Sequence, residues 1–210
     1  MGLTVTVATH GDDGWVRLAE ERAIASAARI GLEVNYAHLP NGTLAEARNL
    51  VLAQVDTPWV VQLDADDELE GGFGAYIERA HVLHPYADVL VPQVRYIHPD
   101  GAPGLAHWPR VAGHTETGHE CSADCLPYGN WIVVGAAVRT DLAQRVRWEE
   151  WPRFEDWAFW LQCHNLGASF VRAPDAVYRA HVRVDSRNQR GTSGIDVHRA
   201  IALAHGAPIP

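Results

Sequence analysis

Trp59-Val60-Val61-Gln62-Leu63-Asp64-Ala65-Asp66-Asp67 is the stretch from which the rest of the chain can be read. Its first five residues are apolar apart from Gln62, the kind of run that fills a strand buried on both faces of a sheet. Pro58 breaks the chain just ahead of it, and three carboxylates follow at once. Acids at the carboxyl end of a buried strand stand where open α/β sheets bind their ligands. Alternation on an extended backbone predicts Asp64 and Asp66 on one side, both able to approach a single divalent cation. Three carboxylates this close repel one another, and a cation would relieve that repulsion. The alternative is a solvated acidic turn that caps the next helix.

Upstream, residues 3–8 alternate branched side chains with threonine and predict a strand, and residues 11–14 a turn. Trp15, Leu18, Ala19, Ala23, Ile24 and Ala27 recur at helical spacing, closed by Gly31. Residues 32–39 return to strand and stop at Pro40-Asn41-Gly42. Thr43 and Glu46 have the spacing of a capping box, opening a helix that carries Leu44, Ala47, Leu50, Val51 and Val55. The first 67 residues therefore read β-α-β-α-β, a parallel sheet covered by helices.

Downstream, residues 73–83 predict a helix. Residues 87–97 predict a strand, with Pro92 arguing against a central position. Residues 99–127 have little periodicity and much Gly, His, Pro and Thr, the composition of a long functional loop. Residues 131–138 predict a strand, 140–144 a short helix and 155–166 a helix rich in aromatics. Short strands over 168–172 and 176–182 and a helix over 195–204 complete the pattern. The chain has no internal repeat or low-complexity linker, so a single α/β domain over 1–210 is expected.

All 17 basic residues among the 210 are arginine, and the formal net charge is −9. A strongly acidic chain does not advertise a nucleic-acid surface. The lack of lysine excludes a lysine Schiff base, a Walker A phosphate loop and the strand lysine of a protein kinase. Phosphate would have to be met by arginine, backbone N–H groups or a metal. Hydrophobic residues at 47% and charged residues at 20% fit an ordinary soluble globular protein. The apolar run 131–138 is too short to span a bilayer, and no signal peptide is visible. Three cysteines argue against a disulfide scaffold, so a cytoplasmic, reduced setting is expected.

Four segments in order, Leu3-Thr4-Val5-Thr6-Val7-Ala8-Thr9, Ala47-Arg48-Asn49, Val61-Gln62-Leu63-Asp64-Ala65-Asp66-Asp67 and Phe154-Glu155-Asp156-Trp157, resemble the motifs of the family 2 inverting glycosyltransferases. The resemblance runs from residue 3 to about residue 190. Each motif alone is weak and the ordered set is strong. It implies a GT-A-like single domain, a mostly parallel central sheet flanked by helices, with residues 1–67 as the nucleotide-binding half and 68–210 as the acceptor-side half. The implied activity is metal-dependent transfer of a sugar, with inversion, from a nucleotide-diphosphate sugar to an acceptor hydroxyl of a saccharide or glycoconjugate.

Residue by residue, the resemblance assigns the nucleotide base to Thr9 and His10 and brings Arg48 near the nucleotide. Asp64 would contact ribose or the shell of the metal, and Asp66 would bind Mn²⁺ or Mg²⁺ directly. Asp156 would be the general base, with Glu155 orienting it or contacting the acceptor. Tyr178-Arg179-Ala180-His181 resembles a pattern that precedes a closing loop, which suggests His181 as a second metal ligand and Arg187, beside Ser186, as a diphosphate contact.

The chemistry of the residues agrees with this division. Cleavage of a sugar–phosphate bond builds charge on the leaving diphosphate, and a divalent ion is the natural counter-charge in a chain without lysine. A hydroxyl nucleophile needs a base within about 3 Å, held rigidly. For Glu155-Asp156 the alternative is a pair of acids that simply favour a helix start. For the basic stretch Arg179, Arg183, Arg187 and Arg190 it is a solvated face. Trp131, Trp148, Trp151, Trp157 and Trp160 are read mainly as core, with one or two available to stack on a sugar or aromatic acceptor. His114, His119, Cys121 and Cys125 are potential zinc ligands, but Cys-x₃-Cys is not a standard spacing and a loop of satisfied polar side chains is preferred.

The chain departs from the family pattern in lacking the acidic αβ unit that reads the base, so UDP, GDP and TDP sugars remain open. Two other readings stand beside this one. A sugar-1-phosphate nucleotidyltransferase normally opens with a glycine-rich basic loop, which Thr9-His10-Gly11-Asp12 does not resemble. A non-catalytic nucleotide-sugar or carbohydrate-binding protein would bind donor without turnover.

Overall fold

The computed structural model describes residues 1–111, 121–183 and 194–208. Seven strands form one sheet in the order β2-β1-β3-β6-β5-β7-β4. They are β1 (Leu3–His10), β2 (Glu33–Leu39), β3 (Trp59–Leu63), β4 (Glu68–Leu69), β5 (Val89–Ile97), β6 (Ala137–Arg139) and β7 (Phe170–His181). β1 lies parallel to β2 and β3, and β5 parallel to β7, while β6 and β4 run the other way. Five of the seven strands thus share one direction. The sheet is mostly parallel, as expected.

The first helical region passes from α1 (Gly14–Ala19) through a π-helical turn (Glu20–Ile24) into α2 (Ala25–Arg29). It ends at Gly31, whose φ of 74° is a conformation glycine adopts without strain. α3 (Leu44–Leu52) starts at the expected capping box: Thr43 accepts from the Glu46 N–H and Glu46 accepts from the Thr43 N–H. Because the strand order reverses at β1, right-handed crossovers put the first helical region and α3 on opposite faces of the sheet. The carboxyl ends of β1 and β3, the switch point, are left open between them.

The remaining helices are α4 (Phe73–Leu83), α5 (Thr140–Val146), α6 (Glu155–Asn165) and α7 (Gly194–Ala204), with a 3-10 turn at Ala123–Tyr128. One core cluster runs through the sheet, including Val5, Val7, Val61, Leu63, Leu90, Trp131, Trp157 and Trp160. Among the described residues no helix is long and apolar enough to cross a membrane.

Four expectations are corrected. The strand expected over 131–138 exists only at Ala137–Arg139; Trp131, Ile132 and Val134 are buried in irregular chain, so apolar content there reports core rather than strand. β5 is interior despite Pro92. Within β5 only Val89 and Leu90 pair with β6, and the β7 pairing jumps from Pro92↔Ala173 to Gln93↔Val177, so the proline sits at an irregularity. The two short strands expected near the C-terminus are one, β7, with Pro174 inside that jump. Finally, the backbone after Leu63 is not extended. The Asp67 N–H donates to the Asp64 carbonyl (3.0 Å), closing Asp64–Asp67 into a turn before the unforeseen strand β4.

Candidate functional site

Arg48 is the centre of the site. It lies on the buried face of α3 and is 1% exposed. Its Nη2 donates to Asp64 Oδ1 (2.6 Å) and its Nη1 to Glu155 Oε1 (3.2 Å). One guanidinium therefore ties the acid at the end of β3 to the acid that opens α6. The plane of the guanidinium lies 4.3 Å over the Trp148 ring, whose other neighbour is Phe159, stacked at 4.3 Å. Asn49 fixes that ring's backbone: its amide donates to the Trp148 carbonyl and accepts from the Trp148 N–H, both at 2.8 Å. Burial alone would lower the Arg48 pKa, but Asp64 and Glu155 outweigh it and hold the pKa above its ordinary value.

Phe154, with φ of 57°, turns the chain into α6 so that Glu155 and Asp156 emerge in the first turn. A non-glycine residue in that region is strained, and such strain collects at functional sites. Asp156 Oδ2 accepts from Asn130 Nδ2 (2.7 Å) and Oδ1 from the Trp157 N–H (2.9 Å). Burial first, then the Glu155 charge, pushes the Asp156 pKa up to about 7, against the Trp157 N–H and Arg48. A carboxyl tuned to that range is matched to proton transfer near neutrality.

The acidic turn is braced from below. Tyr178, fully buried on β7, donates its hydroxyl to Asp67 Oδ2 (2.7 Å) and accepts from the Asp64 N–H (3.3 Å). Asp67 Oδ1 accepts from the His181 N–H (2.8 Å). The third acid of the motif is therefore structural, and burial together with Asp66 and Asp64 drives its pKa well above the carboxylate range. Asp66 keeps only about a fifth of its side chain exposed. Burial and Asp64 raise its pKa, its carbonyl accepts from Arg22 Nη1 (3.1 Å), and its Oδ2 lies 4.0 Å from Arg183 Nε. Arg183 in turn covers the Trp15 ring at 5.0 Å.

His181 Nε2 is hydrogen-bonded to Glu68 Oε2 (2.9 Å), which Arg179 also approaches at 3.3 Å. Burial pushes the Glu68 carboxyl up, but these two partners outweigh it and leave the pKa below its ordinary value. Thr9, at the end of β1, is buried and shares its hydroxyl between Tyr36 Oη (2.7 Å) and His38 Nδ1 (2.9 Å); His10, next along, is partly exposed. His38 Nε2 lies 3.8 Å from Asp13.

The structure thus brings Arg48, Asp64, Glu155 and Asp156 into one cluster, with Asp66 beside it. The side chains of Arg48 and Thr9 are committed to protein partners, and His181 is paired with Glu68. Arg187 and Ser186 lie outside the described residues, as do His114 and His119. Cys121 is buried, Cys125 is partly so, and among the described residues no group of three or more His, Cys, Asp and Glu is arranged to hold a metal ion. Trp131, Trp148, Trp157 and Trp160 are core, and only Trp151 of the five keeps appreciable exposed surface.

Sequence reasoning gave no site role to Asn49, Glu68 or Arg22, and none to the Tyr178 side chain. One signal could have found Tyr178: a Cβ on Gly135 would fall 1.9 Å from its ring, so that glycine marks a close approach.

No family model and no curated protein matches the chain. Solved structures do. S. aureus TarS 1-349 in complex with UDP-GlcNAc superposes with a TM-score of 0.63 at 17% identity, over 97% of this chain and 66% of that one. The same fragment in complex with UDP gives 0.56 at 18% identity, over 97% and 65%. S. aureus TarS itself gives 0.56 at 18%, over 97% and 39%. The chain spans less than two thirds of the length of each. At such identity the likeness is one of fold: a Rossmann-like α/β architecture shared with TarS.

Proposed function

We propose that the chain is an inverting glycosyltransferase of the GT-A kind, transferring a sugar from a nucleotide-diphosphate sugar to a hydroxyl of a saccharide or glycoconjugate. The observation that carries this reading is the Asp156 carboxyl, held by two donors, brought to a pKa of about 7, and linked through Glu155 and Arg48 to Asp64 at the sheet's switch point. TarS, whose fold this chain shares, has been crystallised with UDP-GlcNAc and with UDP, which supports a nucleotide-sugar donor here.

In this reading residues 1–67 bind the nucleotide and residues 68–210 present the acceptor, within one domain. Asp156 takes the proton from the acceptor hydroxyl, whose oxygen attacks the anomeric carbon as the bond to the diphosphate breaks on the opposite side. Glu155, anchored by Arg48, orients the start of α6, so Arg48 supports the nucleotide side through Asp64 rather than by touching the ligand. Thr9 and His10 border the base, with Tyr36 and His38 setting the wall behind Thr9. Arg187 would contact the diphosphate, and Arg183, 4.0 Å from Asp66 Oδ2, stands near it in sequence and close to the acidic turn.

A hard cation at Asp66 would draw on that one carboxylate, with Asp64 beside it and held by Arg48. The Asp66 carboxylate is mostly buried and is repelled by Asp64, and that repulsion is what a cation relieves. Bound Mn²⁺ or Mg²⁺ would supply counter-charge to the leaving diphosphate. His181 fits a ligand role less well, since Glu68 already engages its Nε2.

The test has two parts. A thermal-shift screen of nucleotide sugars with and without Mn²⁺ should find one donor that stabilises the chain in a metal-dependent way. Transfer from that donor should fall by at least about 10²-fold in Asp156→Asn. Donor binding without turnover in the parent chain would instead indicate a binding protein, and parent-rate transfer by Asp156→Asn would sink the base assignment.

A further inference from the structure

The Asn130 side chain makes two contacts with one amide. Its Oδ1 accepts from the Ile132 N–H (3.0 Å) while its Nδ2 donates to Asp156 Oδ2 (2.7 Å). An amide has one accepting end and one donating end. With the accepting end taken by a backbone N–H, the donating end is the one that faces Asp156. The segment that carries Asn130 is itself pinned to α6: Trp157 Nε1 donates to the Leu126 carbonyl (2.7 Å), and the Gly129 N–H closes the 3-10 turn on Cys125 and Leu126. Donor and carboxylate are therefore fastened to the same helix, one residue apart.

We infer that Asn130 is the positioning residue of the Asp156 carboxylate, holding its rotamer and favouring its ionised form. This inference rests on the reading of Asp156 as the base. With Oδ2 held by Asn130 and Oδ1 by the Trp157 N–H, neither oxygen is free to rotate away, and each keeps a lone-pair site for an acceptor hydroxyl. The charges facing Asp156 do not hold its rotamer. Glu155 on the same helix and Asp64 after β3 oppose ionisation, and Arg48 on α3 favours it. Tyr96 on β5 is neutral, its own pKa raised by burial and then by Asp156. Arg48 acts through Asp64 and Glu155, to which its hydrogen bonds go. Among the described residues, Asn130 is the side chain with a hydrogen bond to Asp156.

The test is a carboxyl ¹³C NMR titration of the full chain, with Asp156 assigned from Asp156→Asn. In the parent, the Asn130 Nδ2 protons should shift with the same midpoint as the Asp156 carboxyl. Asn130→Leu, which keeps the branched shape, and Asn130→Ala should both raise that midpoint by about one pH unit. In the transfer assay the acid limb of kcat should move up in parallel, while the donor KM stays within about twofold of the parent. Parent amide protons that ignore the Asp156 titration, or a folded variant with an unmoved midpoint, would overturn the inference. A chain that shows the NMR coupling but transfers no sugar would instead overturn the base reading and leave Asn130's hold on the carboxylate standing.

Discussion

Arg48→Met keeps most of the length and volume of the buried side chain while removing its charge and its five N–H donors. The Asp64 and Glu155 carboxylates, with side chains 33% and 14% exposed, would then stand without the cation that joins them. Removing one partner of a buried ionic group costs about 3–5 kcal/mol, because the remaining charge is uncompensated. Asp64 keeps a third of its side chain in water, and solvent screening trims its share. The loss should therefore fall near the lower bound, about 3 kcal/mol. For a chain of this length, at roughly 2–4 °C per kcal/mol, that is a fall in Tm of roughly 6–12 °C. Urea unfolding at pH 7.5, followed by circular dichroism, measures it directly. The variant Arg48→Met/Asp64→Asn/Glu155→Gln, which removes the stranded charges as well, should recover much of the loss. A single variant within about 1 kcal/mol of the parent would refute the reasoning. So would a triple variant no more stable than the single one, since packing on Trp148 would then be the main contribution.

Two further outcomes follow from the same geometry. Because the native chain holds the Asp156 proton up to a pKa of about 7, stability should fall as pH rises from about 4 to about 7 and level off above it. That penalty is on the order of 4 kcal/mol and should be absent from Asp156→Asn, so the variant is the more stable chain at pH 8 and loses its advantage near pH 4; equal urea midpoints at both pH values would contradict this. Gly135→Ala puts a methyl carbon 1.9 Å from Tyr178 Cδ2 in a fully buried site, and should cost about 1–3 kcal/mol and loosen the Tyr178–Asp67 brace; a change in unfolding free energy below about 0.5 kcal/mol would show that the ring has room to move.

Apolar periodicity and turn chemistry are local, and the elements that depend on them are legible in the sequence. β3 and α4 occupy the predicted residues, and the Thr43–Glu46 box caps α3 as its spacing requires. The β-α-β-α-β opening is likewise legible, since a buried strand between two amphipathic helices has few other solutions. The acids Asp64, Asp66, Glu155 and Asp156 could be singled out because carboxylates at a strand end and a helix start are conspicuous against apolar neighbours. The tertiary structure alone decided how those acids are used. A turn closed by the Asp67 N–H replaces the extended backbone that alternation implied, and gives Asp67 to Tyr178. The partners that matter most are remote in sequence: Arg48 lies 107 residues from Glu155, Asp64 114 residues from Tyr178, and Asn49 99 residues from Trp148. No local pattern encodes a hydrogen bond over such a separation. It forms because the sheet order brings the ends of β1, β3 and β7 and the start of α6 to one edge, where a buried charge must find an opposite one.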